Sequence, residues 1–194
     1  LDAYLSRSGA VDLQTIPWDR VPRHPVPPEA LRALRYMQDI ESHTIMYLRA
    51  LLETRAVDDP EVATFLACWV YEETFHGIAL ARFVRAAGGA IELRARSRRT
   101  FGQRIEERLT AWLARTWPDF VAVHMAWGAI NELTTLTGYR RLAALVDHPV
   151  LHELLDRIVL DESRHFYFYF KQAERRLARP KTARITRAVI ERSW

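Results

Sequence analysis

Glu72-Glu73-Thr74-Phe75-His76 and Asp161-Glu162-Ser163-Arg164-His165 are two copies of one pattern, an acid followed by Glu-x-x-His, and their setting decides the fold. The first copy lies in the run Val62, Leu66, Trp69, Glu73, His76, Leu80 and Phe83; the second lies in Leu151, Leu155, Ile158, Glu162, His165 and Tyr169. Residues recurring every three or four positions share one helical face, so both Glu-x-x-His pairs sit on faces that are otherwise apolar. Asp59-Pro60-Glu61 supplies a cap, a first-turn proline and an acidic first turn for one helix, which stops at Gly88-Gly89. The other begins at the turn Asp147-His148-Pro149 and stops near Pro180.

Outward from these two, Leu31, Leu34, Met37, Glu41, Ile45 and Leu48 predict a helix from Pro28 that ends before Asp58. Val121, Met125, Gly128, Glu132, Thr135 and Tyr139 predict another, which Pro118 restarts after a shorter amphipathic stretch from Phe101 to Trp117. No alternation of strand type bounded by hairpin signals interrupts them. The expected fold is all-α: four long helices packed in antiparallel pairs, short extra helices, and a crossover in the long connection between the second and third. The chain reads as a single domain, with residues 1–28 a proline-rich arm over the surface, 29–180 the bundle, and 181–194 a C-terminal helix or tail.

Each long helix thus carries a carboxylate in mid-stripe. An unpaired carboxylate in low dielectric costs several kcal/mol, so about four of them facing one interior demand a cation. Glu-x-x-His sets its two side chains about 60° apart on one face, close enough to serve one metal centre. One Glu from each of two helices plus Glu-x-x-His from each of two others is the ligand set of ferritin-like di-iron and di-manganese bundles. The expected metal ligands are Glu41, Glu73, His76, Glu132, Glu162 and His165, with Asp39 an open alternative to Glu41. Metal-bound histidines donate their second ring N–H to a carboxylate, and across the bundle Asp161 is placed to hold His76 and Glu72 to hold His165; the alternative is that both acids are solvated.

Composition narrows the classes. At 194 residues with 49% hydrophobic and 27% charged, the chain is long and apolar enough for one sizeable core, which excludes disorder. Its one cysteine, Cys68, permits neither an internal disulfide nor a thiolate cluster and fits a reducing cytoplasmic setting. No apolar run reaches the roughly 18 residues of a membrane span, and no leader of signal-peptide type is present. The net charge of +4 is mostly arginine, concentrated in Arg94, Arg96, Arg98, Arg99 and Arg104 and from Arg175 to Arg192. Without interleaved aromatics or zinc-finger spacing these arginines do not point to nucleic acid; they read as a solvated face or a docking site for an acidic partner.

The two motifs, Glu72-Glu73-x-x-His76-Gly77 and Asp161-Glu162-x-Arg164-His165, closely resemble the iron motifs EENRHG and DEKRHE of the soluble acyl-carrier-protein desaturases. Glu132-x-x-Thr135 followed by Thr137-Gly138 is similar to that family's third-helix ligand segment, and Glu41 with Tyr47 to its first. The resemblance covers residues 30–175. It implies that Glu41 and His76 bind one iron, Glu132 and His165 the other, that Glu73 and Glu162 bridge, and that Thr135 lies by the oxygen-binding face. Thr74-Phe75 replaces the family's Asn-Arg, and Phe166 replaces the acid after the last histidine. Aminoarene N-oxygenases are similar in layout, but the additional histidine they carry one turn before the last glutamate is Ile158 here.

The expected function is an O2-dependent di-iron oxidase or oxygenase that desaturates or hydroxylates an acyl-type or small apolar substrate. N-oxygenation of an amine, iron oxidation or storage, and radical generation are the alternatives. Two Fe ions, or Fe with Mn, and O2 are the implied cofactors. Electrons would come from an external ferredoxin or reductase, since no flavin or nicotinamide motif is present. A homodimer and an acidic carrier protein are expected partners. Trp69, Met125, Gly128, Ala129, Phe166 and Tyr169, one turn from the ligands, mix small and large apolar residues and are expected to line the substrate pocket, the small ones leaving volume. Among the remaining candidates, His124 reads as a core or cavity residue; His43 points away from Glu41; His24, His148 and His152 read as loop or surface residues. Trp127 and the tyrosines Tyr71, Tyr139 and Tyr169 read as packing.

Overall fold

A computed structural model of the chain describes residues 1–52, 54–91, 114–117 and 119–193. Expectations for the Tyr47 side chain, for the arginines from 94 to 104 and for the amphipathic stretch from Phe101 as far as residue 113 lie outside what the structure describes. Among the described residues the protein is all-α, as a ferritin-like four-helix bundle with short extra helices. The helices are α1 (Asp2–Leu5), α2 (Pro28–Leu52), α3 (Pro60–Ala86), α4 (Phe120–Leu145), α5 (Pro149–Leu177) and α6 (Pro180–Ser193), with 3-10 turns at Trp18–Arg23 and Arg55–Asp58. No described helix is long and apolar enough to cross a membrane.

The predicted boundaries are close, and the caps explain them. Asp59 accepts the Glu61 N–H at 3.0 Å and Pro60 opens α3. α2 ends at Leu52, before Asp58 as expected, and Thr54 starts a new turn by accepting the Ala56 N–H at 3.2 Å. His148, expected in a loop or at the surface, is buried: its Nδ1 accepts the Leu151 N–H at 3.1 Å to cap α5, and its Nε2 lies 3.2 Å from the Val21 carbonyl. Ile45, read as part of the buried stripe of α2, is exposed; Thr44 is buried in its place.

α2 packs mainly on α3, and α4 on α5. Close approaches fix the directions. Gly77 lies against Ser42 and Gly89 against Arg35, so α2 and α3 are antiparallel. Glu72 meets His165 and Asp161 meets His76, so α3 and α5 are antiparallel. Gly128 meets Tyr169 and Glu132 meets His165, so α4 and α5 are antiparallel. It follows that α3 and α4 point the same way, the arrangement that a crossover topology requires.

Two apolar clusters fill the interior. One contains Leu34, Leu80, Phe83, Leu151, Leu155 and Ile158; the other contains Phe65, Leu66, Met125, Phe168 and Tyr169. Glu41, Glu73, His76, Glu132, Glu162 and His165 fall between them along every long helix, as one buried polar layer. The N-terminal arm does more than cover the surface: Val21 is fully buried in the first cluster and Tyr4, on α1, is buried in the second.

Gly128 corrects the expectation that small residues of α4 leave space beside the layer. The Tyr169 ring already fills that space, and a Cβ at Gly128 would overlap it. The glycine serves close packing of α4 on α5. Gly128→Ala should therefore lower stability by about 1–3 kcal/mol through overpacking. Chemical denaturation of the metal-free protein measures this, and an unchanged midpoint would contradict it.

Candidate metal centre

The polar layer is built by two helical hairpins. α2 and α3 deliver Glu41, Glu73 and His76; α4 and α5 deliver Glu132, Glu162 and His165. Gly77 permits the first delivery, since a Cβ there would stand 2.7 Å from Ser42 Oγ and 3.4 Å from Glu41 Cβ. The six side chains form two groups, Glu41, Glu73, His76 and Glu162, and Glu73, Glu132, Glu162 and His165. Within each group the ligand atoms lie within 4.8 Å of one another. Glu73 and Glu162 belong to both.

Outside this ring stands a second layer of partners. His76 Nε2 lies 3.1 Å from Asp161 Oδ2, and His165 Nε2 lies 2.7 Å from Glu72 Oε2. The carboxylates accept only, so both rings carry a proton on Nε2 and turn Nδ1 inward. Arg164 joins the two acids, donating to Glu72 Oε1 at 3.0 Å and lying 2.7 Å from Asp161 Oδ1. Neither acid is a freely solvated helix-face residue.

Several donors escaped the sequence reading. The Tyr139 hydroxyl donates to Glu41, and Trp69 Nε1 donates to Glu132 Oε1 at 3.0 Å. Tyr139 lies two turns after Glu132 and Trp69 one turn before Glu73, so helical spacing marked their nearness, but only packing shows which carboxylate each reaches. Tyr4 and Gly9 reach Glu72 from a segment with no periodicity to read. Asp39, the alternative to Glu41, faces away and lies 3.3 Å from the exposed His43.

Among the expected pocket residues, Met125 and Ala129 are buried and Trp69 stacks edge-on against Tyr169 at 5.7 Å. Phe166 is half-buried beside Phe170. Thr135 is half-buried one turn after Glu132. His124 joins neither group; it packs edge-on against Tyr169, and burial pushes its imidazole down to about 4. Tyr71 is exposed.

The inner atoms show what the layer fits. Glu41 Oε2, Glu73 Oε1, both oxygens of Glu162, His76 Nδ1 and His165 Nδ1 are buried without a hydrogen-bond partner. His76 Nδ1 is 3.2 Å from Glu162 Oε1 and His165 Nδ1 3.0 Å from Glu73 Oε1, but not aligned for bonding. So many orphaned acceptors would be untenable unless cations occupied the space they share. Ligand atoms about 2.1 Å from a first-row ion stand at most about 4.2 Å apart, a spacing compatible with each group. Carboxylate and imidazole donors suit Fe or Mn.

Without metal, protons take the cations' place. Burial and the neighbouring Glu73 hold Glu41 well above the usual carboxylate range, and burial and Glu162 do the same to Glu132. Burial would push His76 down, but its hydrogen bond to Asp161 and the negative charge of the adjacent Glu162 and Glu73 raise it to about 10. Through these groups the folded metal-free chain holds more protons than the unfolded one from about pH 6.5, above which the lowered His124 no longer counts against them, up to about pH 10. Its stability should fall as pH rises through that window, with the His76 contribution full below 6.5 and lost through about 10. Metal binding needs the deprotonated ligands, so stabilisation by added metal should grow over the same range. Thermal denaturation with and without Co(II) between about pH 6.5 and pH 9 tests both slopes; a metal-free melting temperature that rises with pH contradicts the first.

No curated protein and no solved structure matches the chain. The family model described as fatty acid desaturase matches residues 41–190, which takes in the C-terminal half of α2, all of α3, α4 and α5, and every residue of the two Glu/His groups. The chain belongs to the fatty acid desaturase family and is an enzyme of the non-haem di-iron oxidoreductase type.

Proposed function

We propose that the protein is an O2-dependent di-iron oxidase or oxygenase that desaturates or hydroxylates an acyl-type or other apolar substrate. The pair of four-residue groups sharing Glu73 and Glu162 carries this reading. In it, Glu41 and His76 would hold one iron and Glu132 and His165 the other, with Glu73 and Glu162, which belong to both groups, shared between them. The bound iron pair supplies O2 activation and hydrogen abstraction, chemistry no side chain performs.

The chain's own residues hold and enclose that centre. Tyr139 and Trp69 fix the two terminal glutamates, while Asp161 and Glu72 orient the two imidazoles. Phe65, Met125, Phe168 and Tyr169 on one side, and Leu80, Leu155 and Ile158 on the other, keep bulk water from the layer. The Thr135 hydroxyl, one turn beyond Glu132, serves to relay a proton at the edge of the site. Trp69, Met125, Ala129, Phe166 and Tyr169 supply apolar walls for the substrate, with Gly128 acting through Tyr169.

Removing two hydrogens from a substrate while reducing O2 to two waters needs two further electrons and two protons. A separate ferredoxin or reductase supplies the electrons. The exposed arginines Arg175, Arg179, Arg184, Arg187 and Arg192 offer a surface for such an acidic protein, or for an acidic carrier of the substrate.

Metal analysis should find about two ions per chain. His76→Ala and His165→Ala should each lower occupancy, and full metal content in the double variant would overturn the ligand assignment. Asp161→Asn and Glu72→Gln should keep the fold and weaken metal affinity roughly 10–100-fold; unchanged affinity would return both acids to a purely structural role. The Fe(II)-loaded protein should consume O2 in a single turnover and convert a member of a panel of acyl substrates, read by mass spectrometry. A loaded protein that leaves O2 untouched would overturn the oxidase reading.

A further inference from the structure

Glu72 and Asp161 occupy matching places. Each precedes a glutamate shared by the two groups, and each accepts from the Nε2 of the other hairpin's histidine. Their surroundings differ. Asp161 faces His76 with one oxygen and Arg164 with the other, and its side chain stays 12% exposed. Glu72 is fully enclosed. Its Oε2 accepts from His165 Nε2 at 2.7 Å and from the Tyr4 hydroxyl at 2.5 Å. Its Oε1 accepts from the Gly9 N–H at 2.9 Å and from Arg164 Nη2 at 3.0 Å.

An ionised carboxylate offers about four acceptor directions, and at Glu72 all are taken. Two of the four donors come from the N-terminal segment, which lies outside the four ligand-bearing helices. Tyr4 is held firmly for the task. Its ring packs edge-on against Phe65 at 5.1 Å, tilts against Phe168 at 6.2 Å and lies under the Arg164 guanidinium at 5.9 Å. It also stands 6.3 Å from the His165 ring.

Resting on the di-metal reading above, we propose that Tyr4 is a positioning residue of the metal centre, fixing Glu72 through its hydroxyl, with help from the Gly9 N–H, and through Glu72 fixing the imidazole of His165. The same contacts make the surroundings of the two imidazoles unequal, although the two hairpins offer nearly the same residues: His165 meets at 2.7 Å a carboxylate fixed by Tyr4, Gly9 and Arg164, whereas His76 meets at 3.1 Å one fixed by Arg164 alone.

The test uses the full chain loaded with Co(II), in which the exchangeable Nε2–H protons of the metal-bound histidines give strongly shifted proton NMR signals, assigned with 15N-labelled histidine. Tyr4→Phe removes the hydroxyl and keeps the ring that packs on Phe65 and Phe168. It should move the His165 N–H signal and speed its exchange with solvent roughly five- to tenfold, the equivalent of about one net hydrogen bond, while the His76 signal stays in place. Gly9→Ala keeps the backbone donor, and its Cβ meets nothing within 4 Å, so both signals should stay unmoved. An unmoved His165 signal in Tyr4→Phe, or equal changes at both histidines, would overturn the role of Tyr4. A wild-type chain that takes up no Co(II) would overturn the di-metal reading and the role of Tyr4 with it, whereas full uptake with an unmoved His165 signal counts against Tyr4 alone.

Discussion

The mutual repulsion of Glu41, Glu73, Glu132 and Glu162, held in one dry layer, is the constraint to which the rest of the structure answers. Four negative charges at this depth match the charge of two divalent cations, and the two imidazoles add donors without adding charge. Everything around the layer follows from keeping those carboxylates apart until cations separate them. The apolar clusters on either side set the low dielectric that makes the charges costly alone and tightly held when neutralised. The outer carboxylates Glu72 and Asp161 add two more charges, and Arg164 between them offsets part of that addition.

The layer also explains why single residues outside it are so restricted. Gly77 lets α2 approach α3 closely enough for Glu41 to reach Glu73, and Gly128 lets Tyr169 lie flat on α4. Tyr139 and Trp69 each give a hydrogen bond to a terminal glutamate. Such donors lower the cost of burying a carboxylate and limit the ways it can turn. The site is therefore held by its ligands' neighbours as much as by its ligands.

The two Glu/His groups were legible because a helical period repeats locally: Glu73 with His76, and Glu162 with His165, declare their shared face within one turn. The carboxylate–histidine pairs across the bundle were legible too, because two like motifs on facing helices leave little choice of partner. Periodicity failed where side-chain size stood in for space. Gly128 suggested a cavity, but a sequence gives the volume a residue lacks without saying which neighbour moves in, here Tyr169. It failed again at Ile45 and Thr44, where α2 turns slightly differently from an ideal stripe and the β-branched polar residue is the buried one. Tyr4 lay beyond reach, since its partner Glu72 is 68 positions away and proline-rich sequence carries no register.

The shared direction of α3 and α4, each antiparallel to α5, relates the two hairpins by an approximate twofold axis through the layer. Glu41 corresponds to Glu132, Glu73 to Glu162, His76 to His165, and Glu72 to Asp161. Neither hairpin alone contains a complete group, because each group borrows one glutamate from the other side. Two copies of a single ancestral hairpin, carrying one glutamate and one acid-Glu-x-x-His, would assemble the same six ligands around the same axis. In such a pair every change near the centre would be made twice; joining the copies in one chain frees each half to vary alone, as an aspartate in one and a glutamate in the other now do.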